Sequence, residues 1–161
     1  MDPGVCREHL SGLLREESEL LAQLEELLAR ESRVLETSDI QALETTTRAR
    51  QERTGALARI EEQRRSLCAL HGFSADRAGL EGLMTWCDSE GTLLPRLREC
   101  AERAVRCRDL NDRNGIVVAS RLKRVGGMLD ALTGRPAQPD TYGPRGYSGS
   151  NTRPGRVLGA A

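Results

Sequence analysis

Leucines at seven-residue intervals near the start of the chain constrain its fold more than any other feature. One series is Leu13, Leu20, Leu27 and Val34, and a second beside it is Leu14, Leu21, Leu28 and Leu35. This spacing places the aliphatic side chains on one face of a helix, and a face this broad contacts two neighbours. Glu17 and Glu31 interrupt the stripe. The pattern predicts a helix over about residues 4–36.

Three more helices are predicted after the first. They are expected at about residues 39–70, 75–87 and 92–132. Ser38 and Gln41 are expected to form a capping box before the second helix. Ser74 and Thr92 are expected to cap the next two helices, and Gly72 to stop the second.

Brief connections between these helices indicate an antiparallel arrangement. The inward residues of the second helix are expected to be Ile40, Leu43, Leu57, Ile60, Leu67 and Leu70. Those of the last helix are expected to be Leu93, Leu97, Ala104, Val118, Val125 and Leu132. The predicted fold class is all-α, an elongated, coiled-coil-like antiparallel bundle of three long helices and one short helix, followed by a disordered C-terminal tail.

Composition limits what the 161-residue chain can do. Its 24 basic and 24 acidic residues cancel, so no global field favours nucleic acid or an anionic membrane. Charged residues make up 30% and aromatic residues 2%, which indicates charged helices around a thin apolar seam. No apolar run is long enough to span a bilayer, and no signal peptide is expected. Five cysteines without C-x-x-C spacing fit reduced thiols in the cytoplasm.

Catalytic and metal chemistry find little support. His9 and His71 lack the spacing of a zinc site. Cys100 and Cys107 are seven residues apart, about 10 Å along a helix, which is too far for a disulfide, so both are expected to fill the core. There is no phosphate-binding loop and no nucleophile–base pattern. We therefore predict no enzyme activity, no cofactor and no metal.

The predicted last helix is interrupted at Asn111, Asn114 and Gly115 and then resumes its apolar pattern. Glycine costs roughly 1 kcal/mol relative to alanine within a helix. A cluster that opposes local propensity indicates either a functional surface or a buried polar layer that fixes helix register. Gly115 would also let another backbone approach closely. The residues alone leave both interpretations open.

From residue 134 onward the chain is rich in glycine, proline and arginine. We expect one helical domain over residues 1–133 and a flexible tail over 134–161. Within the tail, Tyr142 stands among turn residues in the sequence Asp140-Thr141-Tyr142-Gly143-Pro144. It is either a short docking element or a solvated side chain.

Two motifs in this order resemble the FlgN family of flagellar export chaperones. They are an N-x-x-N-G in the last helix, at Asn111, Asn114 and Gly115, and a T-Y-G-x-x-G in the tail, at residues 141–146. The resemblance implies a cytoplasmic chaperone for type III protein export in flagellum assembly. It implies binding to C-terminal helical segments of hook-associated proteins, the FlgK and FlgL families, and delivery to the export-gate protein FlhA.

The resemblance also assigns roles to residues. It implies a cargo-binding part over about residues 107–132 of the last helix. The cargo-binding residues would be Asn111, Asn114, Gly115, Ile116, Val117, Val118, Leu122, Val125 and Leu129. Tyr142 and Gly143 would dock to the cytoplasmic domain of FlhA. The alternative is a structural coiled-coil scaffold with no export role, and a homodimer of the cargo-free protein is left open.

Overall fold

The computed structural model describes residues 2–134, and all regular structure in this range is helical. The helices are α1 (Pro3–Thr37), α2 (Ile40–Leu70), α3 (Arg77–Cys87) and α4 (Leu93–Thr133). The all-α prediction is confirmed, and every helix boundary lies within two residues of its expected position. The chain divides into one unit up to Arg121 and a second from Leu122. The expectations for residues 135–161, including Tyr142 and Gly143, lie outside the described residues.

Helix α2 is capped by a residue that the sequence analysis does not single out. Ser38 adopts a left-handed conformation with φ 60°, and its N–H donates to the carbonyl of Val34. It therefore ends α1 and does not cap α2. The cap of α2 is Asp39, whose Oδ1 accepts the Ala42 N–H at 3.0 Å. The prediction of a Ser38–Gln41 capping box is wrong because the left-handed turn moves the start of α2 one residue on. Gly72, by contrast, follows the end of α2 with φ 76°, as expected of a stop.

Aspartates also replace the expected caps of α3 and α4. Asp76 caps α3, because its Oδ1 accepts the Gly79 N–H at 2.8 Å, and Ser74 only donates its hydroxyl to the same oxygen. At α4, Asp88 Oδ2 accepts the Leu93 N–H at 2.7 Å, and Thr92 donates to Asp88. The predictions of Ser74 and Thr92 as caps are wrong for one reason. A carboxylate lies within reach of the free N–H in each case and is a stronger acceptor than a hydroxyl.

The core lies where α1, α2, α3 and the first half of α4 meet. Its buried members from α1 are Leu10, Leu13, Leu14, Leu21, Leu24 and Leu28. Ile60 and Leu67 of α2 are buried as expected, and Leu43 and Leu57 are half-buried. Ile40 and Leu70 are exposed, contrary to expectation, because they are the first and last residues of α2 and lie past the packed part of the helix.

Both glutamates that interrupt the α1 stripe have partners on α2. Glu17 accepts from Arg64 Nη1 at 2.6 Å, and both side chains are largely buried. Further along, Glu31 lies 3.8 Å from Arg50. Because the later residue of α2 pairs with the earlier residue of α1, these ion pairs show that the two helices are antiparallel.

Helices α1 and α4 run parallel, with a constant offset of 86 residues between contacting positions. Cys100 Sγ lies 3.7 Å from the Leu14 carbonyl oxygen, and Cys107 Sγ lies 3.6 Å from that of Leu21. Asn114 Nδ2 donates to the Leu28 carbonyl at 3.0 Å. Successive contacts are seven residues apart on both helices, which is the repeat of a coiled-coil seam. The expectation that Cys100 and Cys107 fill the core is confirmed.

The buried face of α4 differs from the predicted one after its first turns. Leu93 and Leu97 are buried as expected, but Ala104, Val118, Val125 and Leu132 are exposed. Their places are taken by Cys100, Cys107 and Asn114. Small side chains occur at these positions because each contacts a main-chain carbonyl of α1 directly, and a leucine would hold the two helices apart.

Asp88 joins three helix ends and should make stability depend on pH. Although burial raises the pKa of a carboxyl group, hydrogen bonds from Leu93, Arg7 and Thr92 hold the pKa of Asp88 below its ordinary value. A carboxyl whose pKa is lowered by folding stabilises the fold above its ordinary pKa and loses this contribution as the pH falls through its folded pKa.

We expect Asp88→Asn to lower the free energy of unfolding at neutral pH by about 1–3 kcal/mol, because it weakens charge-assisted hydrogen bonds. The difference from wild type should shrink below pH 3.8, the ordinary pKa of the group. Urea unfolding followed by circular dichroism measures both. Asp109→Asn, at an exposed position of α4, is the control and should stay within about 0.5 kcal/mol of wild type. A difference that is constant across the pH range would contradict the assignment.

Candidate functional site on the last helix

Asn114 is the last buried residue of α4 and has partners for all of its side-chain polar atoms. It is 3% exposed. Its amide nitrogen donates to the Leu28 carbonyl and to Glu31 Oε2, each at 3.0 Å. Its oxygen accepts from Ser32 Oγ at 2.7 Å. This is the geometry that a register-fixing polar layer requires, because any slip of α4 along α1 would leave these groups unpaired in the interior.

Asn111, one turn earlier, extends the polar layer to α2. Its Oδ1 accepts from Arg50 Nη1 at 2.6 Å at an exposed position. Arg50 also faces Glu31, which in turn accepts from Asn114. The two asparagines are therefore connected through an arginine of α2 and a glutamate of α1. Both asparagines of the N-x-x-N-G motif contact residues of this chain.

Gly115 follows this polar layer, and the space where its side chain would be is open. A β-carbon built on Gly115 would meet no atom within 4 Å, and the residue lies in the interior of α4. Packing within the described residues therefore gives no reason for a glycine here, although the helix loses stability through it. Gly79 shows the contrast, because a β-carbon there would lie 1.9 Å from the Ser74 carbonyl oxygen.

After Gly115, the first unit ends with exposed aliphatic residues of α4. Ile116 is 70% exposed, and Val117 and Val118 are also exposed. At the end of this unit, Arg121 of α4 still contacts the residue that caps α1. Its Nη1 donates to Ser38 Oγ at 3.0 Å. Three of the residues that the resemblance assigns to cargo are thus accessible.

In the second unit α4 continues to Thr133 and carries a row of exposed aliphatic residues. We call Leu122, Val125, Leu129 and Leu132 the α4 stripe. Steps of three, four and three residues place them on one face of the helix, with the spacing of a coiled-coil seam. Met128 is exposed as well. Isolated apolar residues on a surface are ordinary, but a regular row of them indicates an interaction surface.

Other chemistry has little basis in the described residues. Within 2–134, no group of three His, Cys, Asp or Glu side chains is arranged to hold a metal ion. All five thiols are buried. Burial raises the pKa of Cys87 and Cys100 to about 11, so these thiols keep their protons and are poor nucleophiles at neutral pH. The search of the same residues for a helix long and apolar enough to cross a membrane finds none.

The sequence interpretation did not identify the α1 residues that hold Asn114. In the sequence pattern Glu31 is only an interruption of a leucine stripe, and Ser32 does not stand out. A usable signal existed, because the series Cys100, Cys107, Asn114 has the same seven-residue step as Leu14, Leu21, Leu28. Aligning the two series predicts that Asn114 faces the α1 turn that contains Glu31 and Ser32.

Comparison with known proteins gives one finding. A family model described as FlgN protein matches residues 1–148 of the chain, which includes all of the described helices. Searches of curated proteins and of solved structures return no match.

We expect Asn114→Ala to lower the free energy of unfolding by about 1–3 kcal/mol, because it leaves the Leu28 carbonyl and Glu31 without their donor. Asn111→Ala is the matched control, and it should cost less because its amide is exposed. A double-mutant cycle should show coupling of Asn114→Ala with Ser32→Ala and none of Asn111→Ala with Ser32→Ala. Equal costs for the two asparagines, with no coupling to Ser32, would contradict a buried polar layer.

Proposed function

The chain belongs to the FlgN family of flagellar export chaperones, and we propose that it binds C-terminal helical segments of hook-associated proteins of the FlgK and FlgL families. In this proposal the protein acts in the cytoplasm, keeps these subunits competent for export and delivers them to the export gate. It has no catalytic step of its own.

The observation that carries the proposal is the exposed aliphatic surface of α4. Ile116, Val117 and Val118 are exposed in the first unit, and the α4 stripe is exposed in the second. A cargo helix laid along α4 would bury such residues by the helix-in-groove mode, in which an amphipathic helix inserts its apolar face. The apolar face of the cargo helix would be covered in this complex, so the subunits could not associate through it before export.

The N-x-x-N-G motif has a positioning role in this proposal. Asn111 and Asn114 hold α4 on α1 and α2 and so set where the exposed part of the helix begins. Gly115 comes next and offers the backbone of α4 to the cargo at close range. The three motif residues thus contribute to cargo binding, the asparagines through α4 and the glycine by direct approach.

Delivery is assigned to the tail. In this proposal Tyr142 and Gly143, which lie outside the described residues, dock to the cytoplasmic domain of FlhA. Because this element lies beyond the end of α4, cargo and gate would be bound by different parts of the chain. Because a single aliphatic surface binds with modest affinity, the cargo can dissociate without nucleotide hydrolysis by this protein.

The alternative is a coiled-coil scaffold that uses the same exposed residues to bind its own copy. It predicts an oligomer that forms without cargo and a tail that is dispensable. A homodimer of the cargo-free protein alone does not distinguish the two, because the cargo surface of a chaperone can also pair with itself. Competition between dimer and cargo does distinguish them.

We expect Leu122→Asp to weaken binding to the C-terminal segments of FlgK- and FlgL-type proteins at least tenfold, because a charge would lie on the apolar interface. Leu70→Asp is the matched control, since Leu70 is 64% and Leu122 67% exposed, and it should bind as wild type does. Isothermal titration with each segment measures the affinity. Tyr142→Ala should keep cargo affinity and lose binding to the FlhA cytoplasmic domain.

Failure of the folded wild type to bind either segment would reject the cargo proposal. Equal loss of binding in Leu122→Asp and Leu70→Asp would reject α4 as the site. Loss of cargo binding in Tyr142→Ala would reject the division of labour between helix and tail.

Gly115→Ala should separate stability from binding. We expect it to raise the free energy of unfolding by up to about 1 kcal/mol, because alanine favours the helix and the added β-carbon meets no atom. We expect the same variant to weaken cargo binding, because the cargo backbone can no longer approach. Gly55→Ala is the control, also in a helix interior with open space, and it should gain stability without losing affinity. Unchanged affinity in Gly115→Ala would show that no close approach occurs there.

A further inference from the structure

The charged residues next to the exposed surface of α4 indicate the chemistry of the helix that binds it. From Gly115 to Leu129 the helix carries Arg121, Lys123 and Arg124 and no acidic residue. The earlier part of α4 differs, because acids and bases alternate there, as in Glu99, Glu102, Arg103 and Arg106. The nearest acids of α4 are Asp112, before Gly115, and Asp130, which lies between Leu129 and Leu132 near the end of the stripe.

The earlier charges of α4 are used within the chain. Arg103 and Arg106 both contact Glu25 of α1, at 3.7 and 2.9 Å. Arg124 differs from them, since it follows the part of α4 that packs on α1. A net positive surface beside an apolar row attracts a partner of opposite sign and disfavours a basic one.

Helical spacing places two of the cations, Arg121 and Arg124, on one side of the aliphatic residues. Arg121 lies four residues before Val125, and Arg124 lies three after Arg121 and four before Met128. Residues three and four apart are neighbours on a helix surface, so Arg121, Arg124 and Met128 form a row that borders the stripe. The side of the helix that carries Ala119 and Gly126 also carries a cation, because Lys123 lies four residues after Ala119 and three before Gly126.

From this arrangement we propose that α4 selects an amphipathic helix that carries glutamate or aspartate beside its aliphatic face. This inference rests on the proposed function and adds to it the charge of the partner. Aliphatic residues supply the affinity, whereas the basic residues beside them select the sign of the partner. A basic amphipathic helix with the same aliphatic residues is rejected.

The test uses the full chain and two synthetic helical peptides with identical aliphatic heptad positions. One peptide has glutamates along both edges of its apolar face, and the other has lysines. We expect the glutamate peptide to bind about tenfold more tightly or better at low salt, and the difference to shrink as salt is raised. Equal affinity for the two peptides, or binding to neither, would overturn the inference.

A charge-reversal variant ties the effect to the proposed row. Arg124→Glu should weaken the glutamate peptide about two- to tenfold and strengthen the lysine peptide. Arg108→Glu, an exposed arginine of α4 before the stripe, makes the same change in net charge and is the matched control. If the two variants act alike, only net charge matters and the proposed role of the basic residues beside the stripe is wrong.

Titration with the hook-associated segments separates the two proposals. If these segments bind without any dependence on salt or on Arg124, the charge inference fails and the cargo proposal stands. If they do not bind although the glutamate peptide does, the cargo proposal fails and the selectivity of α4 for acidic helices stands.

Discussion

The parallel pairing of α1 and α4 determines the rest of this structure. It repeats one contact three times, from Cys100, Cys107 and Asn114 to main-chain carbonyls of α1 seven residues apart. Main-chain acceptors cannot be moved by a side-chain rotation, so the repeat fixes the axial position of α4 to a single register. The other contacts of α4 with α1, such as Arg106 with Glu25, follow from that register.

The pairing also explains why the two helices have different compositions. α1 contributes leucines to the seam, and α4 contributes thiols and an amide. Large residues on one helix and small ones on the other fill the space between two closely spaced backbones. Because burial raises the pKa of Cys100 and Cys107, both thiols keep the proton that points towards a carbonyl. The seam is thus apolar enough to be buried and still satisfies part of the α1 main chain.

The sequence was sufficient to predict the helices but not the contacts that orient them. The leucine repeat of α1 predicted its length and its buried face, since periodicity depends only on which residues are aliphatic. Part of the α4 face is predicted wrongly, because Val118, Val125 and Leu132 continue the apolar repeat past Asn114, where the buried part of the helix ends. The caps were missed because the choice between Ser38 and Asp39, or between Thr92 and Asp88, depends on one backbone angle or one carboxylate position.

At the candidate site the sequence singles out a short stretch of α4, and the structure distinguishes what its residues contact. Asn114 is buried in the chain, whereas Gly115 and the aliphatic residues after it are open. The sequence left two interpretations open, a buried polar layer and a functional surface. The buried polar layer applies to Asn114, and the open surface begins at the next residue, Gly115. A pattern of residue types cannot separate them, because an asparagine that faces α1 and a glycine that faces solvent oppose helix propensity in the same way.

A consequence of the proposed function is that stability and binding would depend on different parts of one helix. Buried residues of α4 end at Asn114, so substitutions among the exposed residues after it remove no core contact in the described part of the chain. The aliphatic and basic residues after Gly115 can therefore vary with the partner while the seam with α1 stays constant. A chaperone that had its cargo surface inside the seam would lose stability with each change of specificity. The proposed surface lies after the last buried residue of α4 and would avoid that conflict.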